Sequence, residues 1–132
     1  LVIRTPQMAH PGATSHAIVE TVDIFPTLME LCDLPAHKEL DGVSLGPHLR
    51  DPGAPSAKPA YGFSSGGERT IRTDRWRLIW QKRKDAERVE LFDYNRDPLE
   101  TRNHAAHHPE IVAELLEKLA EVPAVESPVE SP

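Results

Sequence analysis

Hydrophobic residues recur at alternate positions in the second half of the chain. Four short runs, AYGFS, RTIRT, WRLIWQ and VELFDY, are rich in β-branched and aromatic residues and are separated by glycine-rich or charged turns. In the third run Trp76, Leu78 and Trp80 share one face of a strand, because successive side chains point to opposite faces. The pattern predicts a four-stranded antiparallel sheet with its tryptophan face turned toward a core.

The hydrophobic spacing changes to three and four residues in the stretch DIFPTLMELCDLP, which begins at Asp23. Asp23 suits the start of a helix, because its carboxylate accepts hydrogen bonds from the first free N–H groups. Phe25, Leu28, Met29 and Cys32 then lie on one face of the helix. We predict that this face is buried core.

A second helix is predicted to begin near Pro109 and to close the folded part of the chain. Its apolar stripe is formed by Ile111, Val112, Leu115, Leu116 and Leu119. This stripe is expected to cover the tryptophan face of the sheet.

The remaining segments set the predicted domain organisation. Leu1–Ile3 is an apolar triplet that we predict to be a buried strand already under way, as expected of a fragment. Residues 36–59 carry turn-forming residues throughout and predict a long surface connection. The predicted units are residues 1–58, residues 59–122 and a disordered tail at 123–132, where VESP is repeated.

Composition and charge narrow the classes of function. The chain has 132 residues, 39% hydrophobic content and a formal net charge of −6, values that fit one modest folded core. The acidic balance argues against nucleic acid as a partner, and no apolar run approaches the length that crosses a membrane. The single cysteine, Cys32, excludes an internal disulfide framework and leaves the redox compartment open.

The stretch LFDYNRDPLETRN resembles the start of a calcium loop, because Asp93, Asn95 and Asp97 stand at alternate positions. Pro98 replaces the glycine that such a loop needs for its bend, and His104 stands where a bidentate glutamate is required. We therefore predict no metal site here. The alternative is a corner whose acidic side chains accept hydrogen bonds from the backbone.

Histidines and arginines supply the other candidate sites. His104, His107 and His108 are close in sequence, but a solvated helix start explains them better than a zinc site, since no cysteine or paired carboxylate completes the set. The basic stretch 68–88 interleaves arginines with two tryptophans, so a polyanion-binding surface is one interpretation. The other is that alternation places the tryptophans in the core and the arginines in water, which we favour.

The motifs together resemble the C-terminal part of the sulfatases, within the alkaline-phosphatase superfamily. The segments LVIRTP, VETVDIFPTLMELCDLP, LDGVSLGPHL and RTIRTDRWRLI occur in the family's order, and LFDYNRDPLETRN is similar to its L-[YF]-D-x-x-x-D-P-x-E-x-x-N segment. The resemblance is greatest to the iduronate-2-sulfatase-like branch. It implies an α/β fold: the last strand and helix of a large sheet domain, then a small four-stranded antiparallel sheet with a covering C-terminal helix.

The resemblance also implies chemistry that this chain lacks. Sulfatases use a formylglycine made from Cys or Ser in a C/S-x-P/A-x-R motif, beside a calcium ion held by carboxylates. Cys32, Ser15 and Ser65 each depart from that motif. We therefore expect no catalytic residue and no metal ligand in the chain, with both in an N-terminal catalytic part that would be its partner.

The implied function is a wall of the substrate cleft in a parent enzyme that hydrolyses sulfate esters on sugars or glycosaminoglycan-like polymers. The chain alone is expected to be inactive, and the resemblance implies a secreted, periplasmic or lysosomal parent. Arg69 and Arg72 are the predicted substrate-binding residues, because they adjoin the glycine-rich SSGGE loop and offer planar cationic donors. The other interpretation is that one or both pair with acidic neighbours such as Asp74 or Glu90 and hold the sheet, and we favour it for Arg72, which lies further inside its strand. The alternatives are a phosphonate or phosphate monoester hydrolase of the same superfamily, and a stand-alone polyanion-binding module.

Overall fold

The computed structural model describes residues 1–6, 8–35, 37, 39–84 and 86–123. The chain divides into two compact units, the first being Leu1–Lys58 and the second beginning at Pro59. The predicted tail at 123–132 lies outside the described residues beyond Pro123.

The first unit is built around two short helices, α1 (Ile24–Leu31) and α2 (Gly46–Arg50). A single 3-10 turn, Thr21–Asp23, leads into α1. Asp23 is 2% exposed, and its carboxylate accepts the Glu20 N–H at 2.7 Å and the Val43 N–H at 2.9 Å. The start of α1 is therefore fixed to the loop before α2 by a buried polar group that is fully hydrogen bonded.

The helix predicted from Asp23 is present, but the prediction that its apolar face is core is wrong for this chain. Phe25 and Leu28 are 53% and 54% exposed, and Cys32 is also exposed, while Met29 is half-buried. The buried residue of α1 is the polar Thr27. Hydrophobic spacing shows which face of a helix favours burial, and it does not show which polypeptide covers that face.

The strand predicted at Leu1–Ile3 does not form in the described part of the chain. Val2 is 95% exposed and Leu1 is 74% exposed. A strand is held by hydrogen bonds to a neighbouring strand, and the strands that the structure describes all lie within residues 60–93.

The second unit confirms the predicted sheet. Its strands are β1 (Ala60–Phe63), β2 (Glu68–Arg72), β3 (Trp76–Arg83) and β4 (Ala86–Asp93), joined in that order as antiparallel neighbours. A helix, α3 (Pro109–Glu121), follows a 3-10 turn at Ala105–His107.

One row of the sheet forms the core of the second unit. The register aligns Ile71 with Leu78 and Leu78 with Leu91, and all three side chains are fully buried. Leu115 and Leu119 of α3 pack against this row, with Trp76 and Trp80 half-buried at its rim. The predicted cover of the tryptophan face by the last helix is confirmed.

Arg69 anchors the end of α3 to the sheet. It lies on the helix-covered face in the row of Trp80, and its Nη2 donates to the carbonyl oxygens of Leu119 at 2.7 Å and Val122 at 2.6 Å. The last carbonyls of a helix have no partner within the helix, and a cation at this end is favoured by the helix dipole. Arg69 therefore supplies hydrogen bonds that α3 cannot make itself.

An ion pair between the half-exposed Arg75, just before β3, and the buried Asp93 joins β3 to the end of β4. Arg75 donates from Nε and Nη2 to the two carboxylate oxygens of Asp93, at 3.1 Å and 2.8 Å, and the Asn95 N–H donates to the same carboxylate at 3.1 Å. Asp93 is 2% exposed. The Arg75 hydrogen bonds outweigh the effect of burial and lower the pKa of Asp93.

We predict that Leu78→Ala lowers the free energy of unfolding by about 2–5 kcal/mol, because it leaves a cavity between the sheet and α3. Urea titration followed by tryptophan fluorescence reports this unit, since both tryptophans lie in β3. Arg83→Ala, at the exposed end of the same strand, should change it by less than about 0.5 kcal/mol. Equal effects would contradict the assigned core.

Arg69→Ala should cost about 1–3 kcal/mol, the usual range for hydrogen bonds from a charged donor. Amide hydrogen exchange should also quicken in the last turn of α3, because two carbonyls lose their partner. If Arg69→Ala is as mild as Arg83→Ala in both measurements, the anchoring role is wrong.

The lowered pKa of Asp93 predicts acid sensitivity with a definite sign. Its ionised form stabilises the fold above the ordinary pKa of 3.8, and that stability is lost as the pH falls through the lower folded value. Asp93→Asn should therefore be less stable than the parent sequence at neutral pH and converge toward it in acid. Urea titrations at several pH values test this, with the exposed Glu117→Gln as the control. A constant gap at every pH would refute the linkage.

Candidate functional site

The face of the sheet opposite α3 carries the candidate site. Arg69 and Arg72 are three positions apart in β2, and an odd separation in a strand places two side chains on opposite faces. The register aligns Ala60 with Arg72, Arg72 with Arg77, and Arg77 with Phe92. The sheet thus separates the two arginines that the sequence analysis had grouped.

A cleft of about 280 Å³ opens on this face. It exists because the β1 residues that point to this face are Ala60 and Gly62, which leave space beside β2. A Cβ on Gly62 would lie 2.6 Å from Cγ2 of Thr70, so glycine is required by the close approach of the next strand. The lining residues are Ala60, Tyr61, Gly62, Thr70, Arg72, Arg77 and Tyr94.

Arg72 lies in this cleft with its guanidinium against an aromatic ring. Its central carbon is 3.4 Å from the centroid of the Tyr94 ring, and Nη1 donates to the Thr73 carbonyl oxygen at 2.6 Å. The carboxylates of Glu100 and Asp74 act on its positive charge through space. Partial burial lowers the pKa of Arg72, which nevertheless stays charged at neutral pH.

The second arginine of the cleft is neutralised within the fold. Arg77 Nη1 donates to both oxygens of Glu100, at 2.8 Å and 3.0 Å, and its Nε donates to Thr70 Oγ1 at 3.2 Å. The Tyr94 hydroxyl donates to the same carboxylate. Burial alone would raise the pKa of Glu100, but the bonds from Tyr94 and Arg77 lower it. Arg77, Glu100 and Tyr94 therefore form a closed network beneath Arg72.

The acidic segment after β4 forms a corner. Asp97 accepts the Arg102 N–H at 2.8 Å and the Thr101 hydroxyl at 3.2 Å, which confirms the predicted bonding to the backbone. Asn103 accepts the N–H groups of Leu91 at 3.0 Å and Ala105 at 2.9 Å. The carboxylates that a calcium ion would need are thus occupied by protein donors.

The histidines near α3 and Arg88 of the basic stretch contact other side chains of the fold. No set of three or more His, Cys, Asp or Glu side chains there is arranged to hold a metal, so the donor set does not fit calcium. The histidine rings pack on one another, with centroids 6.4 Å apart for His104 and His107 and 6.2 Å apart for His104 and His108. Arg88 pairs with Glu90 at 2.6 Å.

Across the described parts of the chain, no helix combines the length and the hydrophobicity needed to cross a bilayer.

Sequence reasoning placed Arg72 near the site, but it missed Tyr94 and Glu100. Tyr94 directly follows β4, and Glu100 stands at a positive φ of 56° in the corner. Glu100 is the glutamate of the D-P-x-E segment, but the sequence connects neither residue to Arg77, because both reach it only through the folded corner. Alternation did offer a signal that Arg69 and Arg72 belong to opposite faces.

Comparison with known proteins identifies relatives of the chain. It is 30% identical over 130 residues to arylsulfatase K of Gallus gallus, covering 87% of this chain and 24% of that protein. It is 32% identical over 114 residues to N-acetylglucosamine-6-O-sulfatase of Bacteroides thetaiotaomicron, covering 78% of this chain and 20% of that protein. The chain thus spans about a quarter of the length of these relatives.

Solved structures are also similar to this chain in fold. BT4656, solved in complex with its substrate D-glucosamine-2-N,6-O-disulfate, superposes with a TM-score of 0.76 at 28% identity, covering 91% of this chain and 27% of that one. A phosphonate monoester hydrolase of Agrobacterium radiobacter shares the fold, with a TM-score of 0.53 at 24% identity, covering 75% of this chain and 23% of that one.

The family described as N-sulphoglucosamine sulphohydrolase, C-terminal, matches residues 1–124. That match covers nearly the whole chain, and it agrees with the sheet, the covering helix and the relatives. The chain therefore belongs to this family of sulfatase C-terminal domains.

Proposed function

We propose that the parent protein of this chain hydrolyses sulfate esters on sulfated sugars or glycosaminoglycan-like polymers. The observation that carries the proposal is the family match over residues 1–124. The names of the relatives support it, since one acts on N-acetylglucosamine 6-O-sulfate groups by its name and another was solved with a disulfated glucosamine. The chain contributes the C-terminal support of that enzyme and one wall of its substrate cleft.

The reacting groups belong to the proposed N-terminal catalytic part of the same protein. The sequence of this chain contains no C/S-x-P/A-x-R motif, and its described carboxylates do not fit a calcium site. In this proposal the formylglycine and the calcium of the family lie outside the chain. The chain binds and positions the substrate. Arg72 contacts the substrate, whereas Arg69 holds the end of α3.

The exposed face of α1 supports the proposed contact with that catalytic part. Ile24, Phe25, Leu28 and Leu31 are 38%, 53%, 54% and 42% exposed, although each is a large hydrophobic residue on one short helix. A contiguous apolar surface of this kind marks an interface. Relatives about four times as long as the match supply a partner of the required size within the same polypeptide.

The alternative functions receive less support. The likeness to a phosphonate monoester hydrolase concerns the fold alone. A stand-alone polyanion-binding module needs free cations, yet Arg75, Arg77 and Arg88 of the basic stretch each pair with a carboxylate.

The test is to compare the full-length protein with this 132-residue chain. The full-length protein should release sulfate from nitrophenyl sulfate and from a sulfated glucosamine, whereas the purified chain should release none. Turnover by the chain alone would contradict the assignment of the nucleophile to the upstream part. A full-length protein that hydrolyses phosphonate esters and no sulfate ester would overturn the proposed function.

The resemblance to iduronate-2-sulfatases gives a separate proposal about substrate specificity. It predicts that the full-length protein prefers a sulfated iduronate over a sulfated glucosamine of equal length. The ratio of kcat/KM for the two substrates measures it. A preference for glucosamine would reject the iduronate assignment and leave the sulfatase function in place.

A further inference from the structure

We infer that the Arg72 cleft binds a second anionic group of the substrate, a carboxylate or a sulfate other than the one being hydrolysed. The parent enzyme would then select sugars that carry two anionic substituents. This inference rests on the proposed function and adds the substrate class that the site recognises.

Charge is the first support. Two cations, Arg72 and Arg77, line the cleft, and the one carboxylate bonded to them is Glu100, which pairs with Arg77. These three residues therefore carry one net positive charge. The cost of partly burying the Arg72 cation exceeds the through-space attraction of Glu100 and Asp74, so an anion that enters the cleft gains a partner and relieves that cost.

Preorganisation is the second support. A guanidinium has five N–H donors in a fixed plane, and Nη1 of Arg72 donates to the Thr73 carbonyl oxygen. Contact with the face of Tyr94 holds the group, and Tyr94 is itself held by Glu100. The remaining donors suit the paired oxygens of a carboxylate or sulfate, at little further cost in side-chain entropy.

The chemistry of the lining groups indicates that a bound anion is held there and not cleaved. Thr70 Oγ1 donates to the Leu78 carbonyl oxygen at 2.8 Å and accepts from Arg77. The Tyr94 hydroxyl is bonded to Glu100. The lining contains no histidine, cysteine or carboxylate that could act as a base or nucleophile.

The size of the cleft fits one substituent on one sugar ring. Its volume of about 280 Å³ lies just below the range of roughly 300–1,000 Å³ that is typical of pockets for drug-sized ligands. The β1 residues Ala60 and Gly62 keep it open, so enlarging either one should close it without removing charge.

A direct test uses the 132-residue chain and NMR signals of its arginine side chains. Glucuronic acid, a sulfated glucosamine and uncharged glucose serve as probes for carboxylate, sulfate and sugar alone. Either or both of the anions should shift the Arg72 Nε–H signal, more weakly as salt is added, and glucose should not. No shift with either anion, or an equal shift with glucose, would overturn the inference.

Variants separate binding from folding. Arg72→Ala should abolish the response of the neighbouring Tyr94 signals, while Arg83→Ala, an exposed arginine of β3, should leave it intact. Ala60→Leu keeps Arg72 and should also abolish the response by filling the cleft. Tryptophan fluorescence checks that each variant is folded. A response that survives in Ala60→Leu would place the anion elsewhere and refute the site.

The full-length protein tests selectivity, with nitrophenyl sulfate as a substrate that has no second anion. Arg72→Ala should lower kcat/KM on a sulfated disaccharide that contains a uronate by on the order of ten- to a hundredfold, and this loss should be much larger than any loss on nitrophenyl sulfate. Equal losses on both substrates, or none on the disaccharide, would overturn the second-anion role. Absence of all sulfatase activity would instead refute the proposed function. The NMR binding test on the chain would then still show whether the cleft binds an anion.

Discussion

The antiparallel register of β2 against β3 is the constraint on which the second unit depends. It places Ile71 beside Leu78 and so assembles the row that α3 covers. The same register sends Arg72, Arg77 and Thr70 to the opposite face. A shift by one residue would exchange the two faces, exposing the core row and burying the arginines. The same register therefore determines both the core and the cleft.

The arginines show how one residue type takes different roles in one small sheet. Arg69 donates to the end of α3, Arg75 and Arg77 are each satisfied by a carboxylate, and Arg72 rests on a tyrosine ring. Arg69, Arg75 and Arg77 serve the fold, because each bonds to a fixed acceptor. Arg72 differs in that its guanidinium lies in the cleft against a tyrosine ring, a position that suits recognition of an anion.

The first unit is stabilised in a different way. Its buried positions include the polar Asp23 and Thr27, whose hydrogen bonds tie α1 to the following loop, while the hydrophobic face of α1 remains exposed. Satisfied polar groups fix a geometry, but they contribute less free energy than buried apolar surface. The proposed catalytic part of the same protein would supply the apolar cover that this unit lacks.

The sequence by itself determined the family and most of the elements, but not α2, which lies within the predicted connection at residues 36–59. Alternating residues predicted the four strands, three-and-four spacing predicted α1 and α3, and the motif LFDYNRDPLETRN carried the resemblance to sulfatases. These signals are local, because a strand or a helix imposes its period on consecutive residues. The corner at Asp97 was predictable for the same reason, since its carboxylate bonds to nearby backbone groups.

Only the tertiary structure decided which elements are covered and which arginine is available. The sequence predicts that the apolar face of α1 is core, but this face is exposed. Burial depends on a partner surface, which periodicity does not specify. Arg69 and Arg72 read as a pair, but their partners are set by the distant residues Leu119 and Tyr94. Contacts between residues far apart in the chain leave no local pattern, so the cleft could be seen only after the sheet and its corner were assembled.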